Sequence, residues 1–214
     1  APAMSRRPPA GGTDTAGPSN QTPTHPLKGK SVSYEKLNAM QIITAGSDDD
    51  CVALAPAGTK APTTLAIPAT FKEVGWIDKD GIEFTADDSV DKRRAHQGNR
   101  VYKVQMTESD SGVTFTALQS NIDTLKLQWL VKASSEDSGV IKHVLSSSRK
   151  VENVAIIVYA EANGHKYLWH CESFQIGERE GFKLANTDDV AYKITGTFTG
   201  DITMLTDDPA FKAA

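Results

Sequence analysis

Three side chains close together in the chain, His165, His170 and Cys171, are of the types that hold transition metals. Their spacing argues against a shared ion. His170 and Cys171 are consecutive in a stretch that reads as a strand, so they point to opposite faces. Cys171 shares its face with Tyr167 and Trp169, a core pattern, and His165 belongs at the turn made by Asn163-Gly164. Cys51 is the second cysteine. Two are too few for a disulfide-stapled scaffold, and a buried pair of free thiols is preferred to a Cys51–Cys171 bridge. Carboxylates come in runs, Asp48-Asp49-Asp50, Asp87-Asp88, Asp188-Asp189 and Asp207-Asp208. Glycoside hydrolysis and calcium binding both need carboxylates at defined spacing, which none of these runs shows, so turn chemistry and solubility explain most of them. Lys92-Arg93-Arg94 and Arg100 offer cations for phosphate, but Asp80, Asp87, Asp88 and Asp91 lie beside them and no aromatic residue is interleaved for base stacking. A segment of mixed sign suits pairing with another protein, including a copy of itself. There is no Gly-rich phosphate loop, no Gly-x-Ser-x-Gly elbow and no paired metal motif. No catalytic residue, metal or cofactor is assigned, and the chain is not expected to be an enzyme.

The elements that would position these residues are mostly strands. Gln41–Thr44 and Asp50–Pro56 read as short strands, followed by a Pro- and Gly-bearing loop over 57–69. Phe71–Ile77 leads through Asp80-Gly81, a turn pair, into Ile82–Thr85. The polar stretch from Ala86 to Asn99 reads as a long loop of the kind that is functional or mobile. Val101–Met106 and Val113–Ala117 alternate as two strands of a hairpin around a turn at Ser109–Gly112, with apolar residues on both faces. A helix capped by Ser120 or Asn121 follows, carrying Ile122, Leu125, Trp129 and Leu130 as its stripe. Ala133–Gly139 closes this half with polar residues. Val151–Ala160, Tyr167–Phe174, Ala191–Thr199 and Ile202–Leu205 are further strands. The fold class is mainly β, a sandwich or barrel of about eight strands with one flanking helix.

Composition narrows the class. Of 214 residues, 39% are hydrophobic and 23% charged, with a net charge of −4. That length can bury one core, and no apolar run approaches the roughly 18 residues of a membrane span. The N-terminus lacks the apolar core of a signal peptide, so the expectation is a soluble protein made in the cytoplasm. The charge is unevenly spread. Within 1–40, five cations stand against two carboxylates, giving +3 and leaving −7 for the rest. From Ala1 to Pro26 the chain has no Val, Ile, Leu or aromatic residue, which predicts an extended arm that only a partner could order. Three regions follow: an arm over 1–40, a β domain over 41–206 and a short tail over 207–214.

One segment carries a resemblance. Phe71-Lys72-Glu73-Val74-Gly75-Trp76-Ile77-Asp78-Lys79-Asp80-Gly81-Ile82 resembles the aromatic-x-x-Leu/Val-Gly-aromatic-x-x-x-Asp-Gly-hydrophobic segment of tail tube proteins (major tail proteins) of long-tailed, non-contractile bacteriophages, the siphophages. The order of what surrounds it is similar too: Ala55-Pro56-Ala57-Gly58-Thr59-Lys60-Ala61-Pro62 before it, then an acidic stretch, His96-Gln97-Gly98, the Arg100-Val101 strand, Val113–Leu118 and a helix from Asn121. His96 stands where an aromatic residue is commoner, and the arm is longer than many members carry.

The resemblance implies a structural subunit. Its members form hexameric rings that stack into a tube with a central β-barrel lumen, through which double-stranded DNA passes without specific binding. Partners would be further copies of the chain and the tape measure, tail terminator and tail tip proteins, with the virion tail as location. On this chain the inter-ring stacking loop would be Ala86–Arg100, with Asp87, Asp88, Asp91, Lys92, Arg93, Arg94 and Arg100. Arg6, Arg7, Lys28 and Lys30 would lie on an arm reaching a neighbour. Asp49, Asp50, Asp188 and Asp189 are candidates for an acidic lumen, which repels DNA phosphates and lets the duplex slide. The alternative is a β-sandwich binding module of the tail tip or virion surface, taking a carbohydrate or cell-surface partner on Trp76, Trp129 and Trp169, although all three fall on patterns that look buried. A β-sandwich hydrolase ranks third.

Overall fold

The computed structural model describes residues 41–212. The arm over 1–40, with Arg6, Arg7, Lys28 and Lys30, lies outside the described residues. Ten strands and one helix follow in the order β1 (Cys51–Pro56), β2 (Lys72–Glu73), β3 (Ile77–Arg94), β4 (Val101–Ala117), α1 (Ile122–Gln128), β5 (Val131–Asp137), β6 (Val140–Leu145), β7 (Glu152–Ala162), β8 (His165–Arg179), β9 (Tyr192–Phe198) and β10 (Ile202–Thr206). Eight strands form one sheet in the order β2-β1-β7-β8-β9-β4-β3, with β10 on β8, and β5 and β6 pair as a separate hairpin. All pairings are antiparallel. The mainly β fold with a single helix is therefore as expected, whereas Gln41–Thr44 is not a strand.

The sheet is buried on both faces at β1 and β7, which explains their continuous apolar runs. Val52, Ile156 and Val158 face one core, with Val113 and Phe115 of β4, Phe174 and Ile176 of β8, Ile194 of β9 and Leu127 of α1. The alternate residues Cys51, Ala53, Ala155, Ile157 and Tyr159 face a second core, covered by Phe71 and by Leu65 and Ile67 of the loop before it. A one-residue slip would exchange the two faces, so the register of β1 on β7 is fixed from both sides. The sheet also curls. Phe84 of β3 reaches Trp169 of β8 with ring centroids 5.4 Å apart, although two strands separate them in the sheet. The backbones of β4, β9 and β8 approach closely along the curl: a Cβ on Gly196 would sit 2.7 Å from the Gln175 carbonyl oxygen, with the Phe174 ring also in its way.

The helix begins as its sequence dictates. Asn121 Oδ1 accepts from the backbone N–H groups of Asp123 and Thr124, both at 2.9 Å, and Thr124 Oγ1 accepts from Asn121 N–H, a reciprocal capping box. The buried face differs from the expected stripe. Thr124, Leu127 and Gln128 are buried at i, i+3 and i+4, while Ile122 and Leu130 are exposed. The expected polar closing segment, Ala133–Gly139, is instead β5 and the turn of a hairpin. Ser138 and Gly139 both have positive φ, 51° and 79°, as a two-residue hairpin turn requires.

Candidate subunit interface

The segment over 86–100 is not a loop. Asp87, Asp88, Asp91, Lys92, Arg93 and Arg94 lie on β3, paired with β4, and only Ala95–Arg100 form the connection. Ser109–Gly112, expected to be a turn, lies within β4, which is one continuous strand from Val101 to Ala117. The reason is cooperative. The β3 half has little strand propensity, being rich in Asp, Ser, Lys and Arg, but β4 opposite it supplies the ladder. Gly81, with φ +80°, ends an irregularity in which residues 78–81 face Thr116 alone, inside β3 rather than between two hairpin strands, and Gly98 and Asn99, both at positive φ, close the far end. There Arg94 Nη1 donates to Asn99 O at 3.1 Å and Ala95 N–H to Arg100 O at 2.8 Å.

Beyond the body this ribbon has two different faces. Directly opposed residues of an antiparallel pair share a face, so Asp88, Val90 and Lys92 lie with Ser109, Met106 and Val104, and Tyr102 continues that row. The opposite face holds Asp87, Ser89, Asp91 and Arg93 against Asp110, Glu108, Gln105 and Lys103. The bulge between Ser89 and Val90 preserves this division. All of these residues are exposed, and the apolar row is 46% exposed at Val90, 66% at Tyr102, 58% at Val104 and 57% at Met106. The polar face is polarised along its length. Asp87 stands opposite Asp110 with Glu108 nearby, and Arg93 and Lys103 lie toward the tip. Like charges directly opposed in a ladder are destabilising, and Arg93, which meets Asp91 at 3.6 Å, is the one cation of this face with an ion pair among the described residues.

The other acidic residues are separated, and several are occupied. Asp50 Oδ2 accepts from Gly46 N–H and Ser47 N–H at 2.6 and 3.2 Å, and its Oδ1 from Glu161 N–H at 2.8 Å. It closes the turn before β1. Asp49 beside it is exposed. Asp188 meets Lys183 at 3.6 Å in the link between β8 and β9, where Asp189 is also exposed. Asp207 Oδ1 accepts from Lys166 N–H at 2.8 Å and lies 3.4 Å from His165 Nδ1; the backbone bond, with His165 second, lowers its pKa. Asp208 is buried, accepts the Tyr167 hydroxyl at 2.7 Å and caps the turn over Pro209–Phe211 through Ala210 N–H. The Tyr167 bond lowers the pKa of Asp208 and pushes that of Tyr167 up to about 12.

His170 and Cys171 do face opposite ways. His170 Nε2 is 2.9 Å from Thr59 O and its ring packs edge-on to Phe71, whereas Cys171 joins the first core. Cys51 is in the second core, and both cysteines are free and buried. Burial pushes the Cys51 thiol up to about 12, which makes it unreactive. Among the described residues no group of three or more His, Cys, Asp or Glu is placed to hold a metal ion. Trp76 corrects an expectation: it is 73% exposed, while Trp129 and Trp169 are half-buried.

Sequence patterning also missed a cationic cleft of about 620 Å³, built from α1, β5, the segment before β7, and β8. A family model described as phage tail tube protein matches residues 35–207 of this sequence. The chain belongs to that family. No curated protein matches it in sequence. Among solved structures, the tail of an empty gene transfer agent particle with C6 symmetry is similar at 9% identity and a TM-score of 0.41, covering 76% of this chain and 99% of that one. The sheath–tube complex of an extracellular contractile injection system in its extended state matches at 10% identity and a TM-score of 0.43, covering 82% and 99%. The cap of the anti-feeding prophage matches at 9% and 0.37, covering 77% and 94%. As a family member the chain is a structural subunit of a tail tube and a component of the virion.

Proposed function

We propose that this tail tube subunit assembles with copies of itself into hexameric rings that stack into the tube of a siphophage tail, through which double-stranded DNA passes during ejection. The amphipathic β3–β4 ribbon carries this reading. A two-stranded ribbon alone in water is marginal, and this one leaves Val90, Tyr102, Val104 and Met106 in solvent on one side. In addition, β3 is the end strand of its sheet, so its outer edge has no strand partner among the described residues. An apolar row and an open edge on one projection are both supplied with partners when a second copy packs there. The ribbon, with Lys92, Arg93, Arg94 and Arg100 toward its tip, makes the contact between rings. Residues 1–40, net positive, lie on a neighbour whose body is net negative. Asp49 and Asp189, exposed and unpaired in the ion pairs of the described residues, are the better candidates for an acidic lumen than Asp50 and Asp188. The tape measure, terminator and tip proteins are the further partners, and synthesis is in the host cytoplasm.

Negative-stain microscopy of the purified full chain tests this directly. Rings or tubes are expected, and a protein that stays monomeric at high concentration would overturn the reading. Removal of residues 1–26 is expected to weaken stacking while the melting temperature of the body stays unchanged; undiminished tube yield would remove the arm from the interface.

A further inference from the structure

The cationic cleft lies between the C-terminal end of α1 and the start of the β5–β6 hairpin. Its charged lining is Lys126, Lys132, Arg149, Lys150 and Arg179 against a single carboxylate, Glu152. That imbalance is notable in a body of net −7. Two of the cations are committed within the fold. The Arg179 side chain, almost fully buried, donates through Nε to Leu127 O and meets Glu152 at 3.4 Å, and its pKa is lowered by burial. Arg149 lies over the Trp129 ring, 4.9 Å from its centroid, and donates to Arg179 O. Glu152 is thereby taken. Lys126, Lys132 and Lys150 are exposed and form no ion pair among the described residues.

Gln128 lies behind the cleft, fully buried, and donates through its Nε2 to Glu180 O at 2.8 Å; its Oε1 has no hydrogen-bond partner among the described residues. What the three exposed lysines lack is negative charge, and an acidic strand supplies it as carboxylates at fixed spacing.

The same chain exposes such a strand. Asp87, Glu108 and Asp110 share the polar face at the base of the β3–β4 ribbon, none has an ion pair among the described residues, and the outer N–H groups of β3 have no strand partner there. We infer that the cleft receives the acidic base of the β3–β4 ribbon from a second copy of the chain, its lysines meeting Asp87, Glu108 and Asp110. The inference rests on the tube reading. It goes further by giving the two faces of the ribbon different partners, the acidic face seated in this cleft and the apolar row packed elsewhere.

Charge exchange in the full chain tests it. K132E/K150E reverses the cleft and D87K/D110K reverses the ribbon, all at exposed positions that leave the monomer melting temperature in place. Each double variant is expected to raise the concentration needed for assembly by about tenfold or more, and the quadruple variant to recover most of that loss. A cleft variant that assembles as the wild type does overturns the inference and leaves the tube reading standing. So does loss in both double variants without recovery in the quadruple one. A short duplex DNA that binds the wild-type chain and loses binding in K132E/K150E, with assembly unaffected, assigns the cleft to phosphate instead. A wild-type chain that never assembles removes the tube reading, and the inference with it.

Discussion

Replacing the apolar row of the ribbon with serine, singly and as Y102S/V104S/M106S, separates assembly from folding. Full burial of a large apolar side chain is worth about 1.5–3 kcal/mol. Tyr102, Val104 and Met106 still expose 57–66% of their surface in the single chain, so packing by another copy has roughly 1 kcal/mol each left to contribute. The triple variant then loses about 3 kcal/mol per contact, on the order of a hundredfold in the association constant. The same groups contribute little to the isolated fold, since substitutions at exposed sites usually change stability by within about 0.5 kcal/mol. Sedimentation velocity over a concentration series reads the first quantity, and thermal melting at a concentration below assembly reads the second. The expected outcome is a large rise in the concentration needed for assembly with an almost unchanged melting temperature, and a smaller effect from Gln105→Ser on the opposite face. Unaltered assembly would refute the argument that this face is covered by another copy. A melting temperature that falls in step with assembly would show that the row stabilises the monomer itself.

Reversal of Lys92, Arg93 and Arg94 to Glu is expected to suppress tube growth, seen by microscopy, more than it lowers the melting temperature; equal loss of both would make this part of the ribbon a folding element. Gly196→Ala places a methyl group against the Gln175 carbonyl and the Phe174 ring, and overpacking of this kind costs about 1–3 kcal/mol, read as a lower denaturant midpoint; an unchanged midpoint would mean that the curl of the sheet relaxes freely. Tyr167→Phe removes the hydroxyl that Asp208 accepts. Because the bond depresses the pKa of Asp208, its contribution is present above the ordinary carboxylate pKa of about 3.9 and fades as pH falls through the lower folded value. Because the pKa of Tyr167 is raised to about 12, the contribution is also lost as pH climbs from about 10 toward that value. The deficit in melting temperature of Tyr167→Phe should therefore be largest near neutrality and narrow below about pH 4, and a deficit independent of pH would contradict the assigned bond.

The fold was legible where one residue type decides the geometry locally. Asn121 announces the helix because its side chain can cap two N–H groups, and Asn163-Gly164 announces the β7–β8 turn through φ of 55° and 77°. The strand β7 follows from an apolar run that any sheet must bury, and β9 from the alternation of Tyr192, Ile194 and Phe198 with Lys193, Thr195 and Thr197. The ribbon reads as a loop in the sequence, since the signal for β3 beyond Thr85 resides in its partner: Tyr102, Val104 and Met106 alternate on β4, while β3 offers Val90 alone against them. Gly81 and Gly112 read as turns because glycine marks turns and strand irregularities alike. At Gly112 the deciding fact is distance, a Cβ there lying 2.5 Å from Gly196 O, which no local pattern contains. The cleft escaped altogether. Its cations come from a helix end, a hairpin strand, a linking segment and the far part of β8, and only the folded chain brings Lys126, Lys150 and Arg179 around Gln128.

The bulges in the outer β3–β4 pair, at Ser89/Val90 and Arg93/Arg94, where Thr107 and Tyr102 of β4 are the extra residues, bear on mechanics as well as register. From Asp87 to Arg94 the ribbon runs about 25 Å at roughly 3.3 Å per residue. Along its length it is held by a ladder of main-chain bonds and resists sliding, whereas at a bulge one residue is left unpaired and the strand bends. A projection built in this way is inextensible and bent at fixed points. In the proposed tube, the angle at which a subunit meets its neighbour would then be set by the bends near Val90 and Arg94, and straightening either one would change the pitch of the filament.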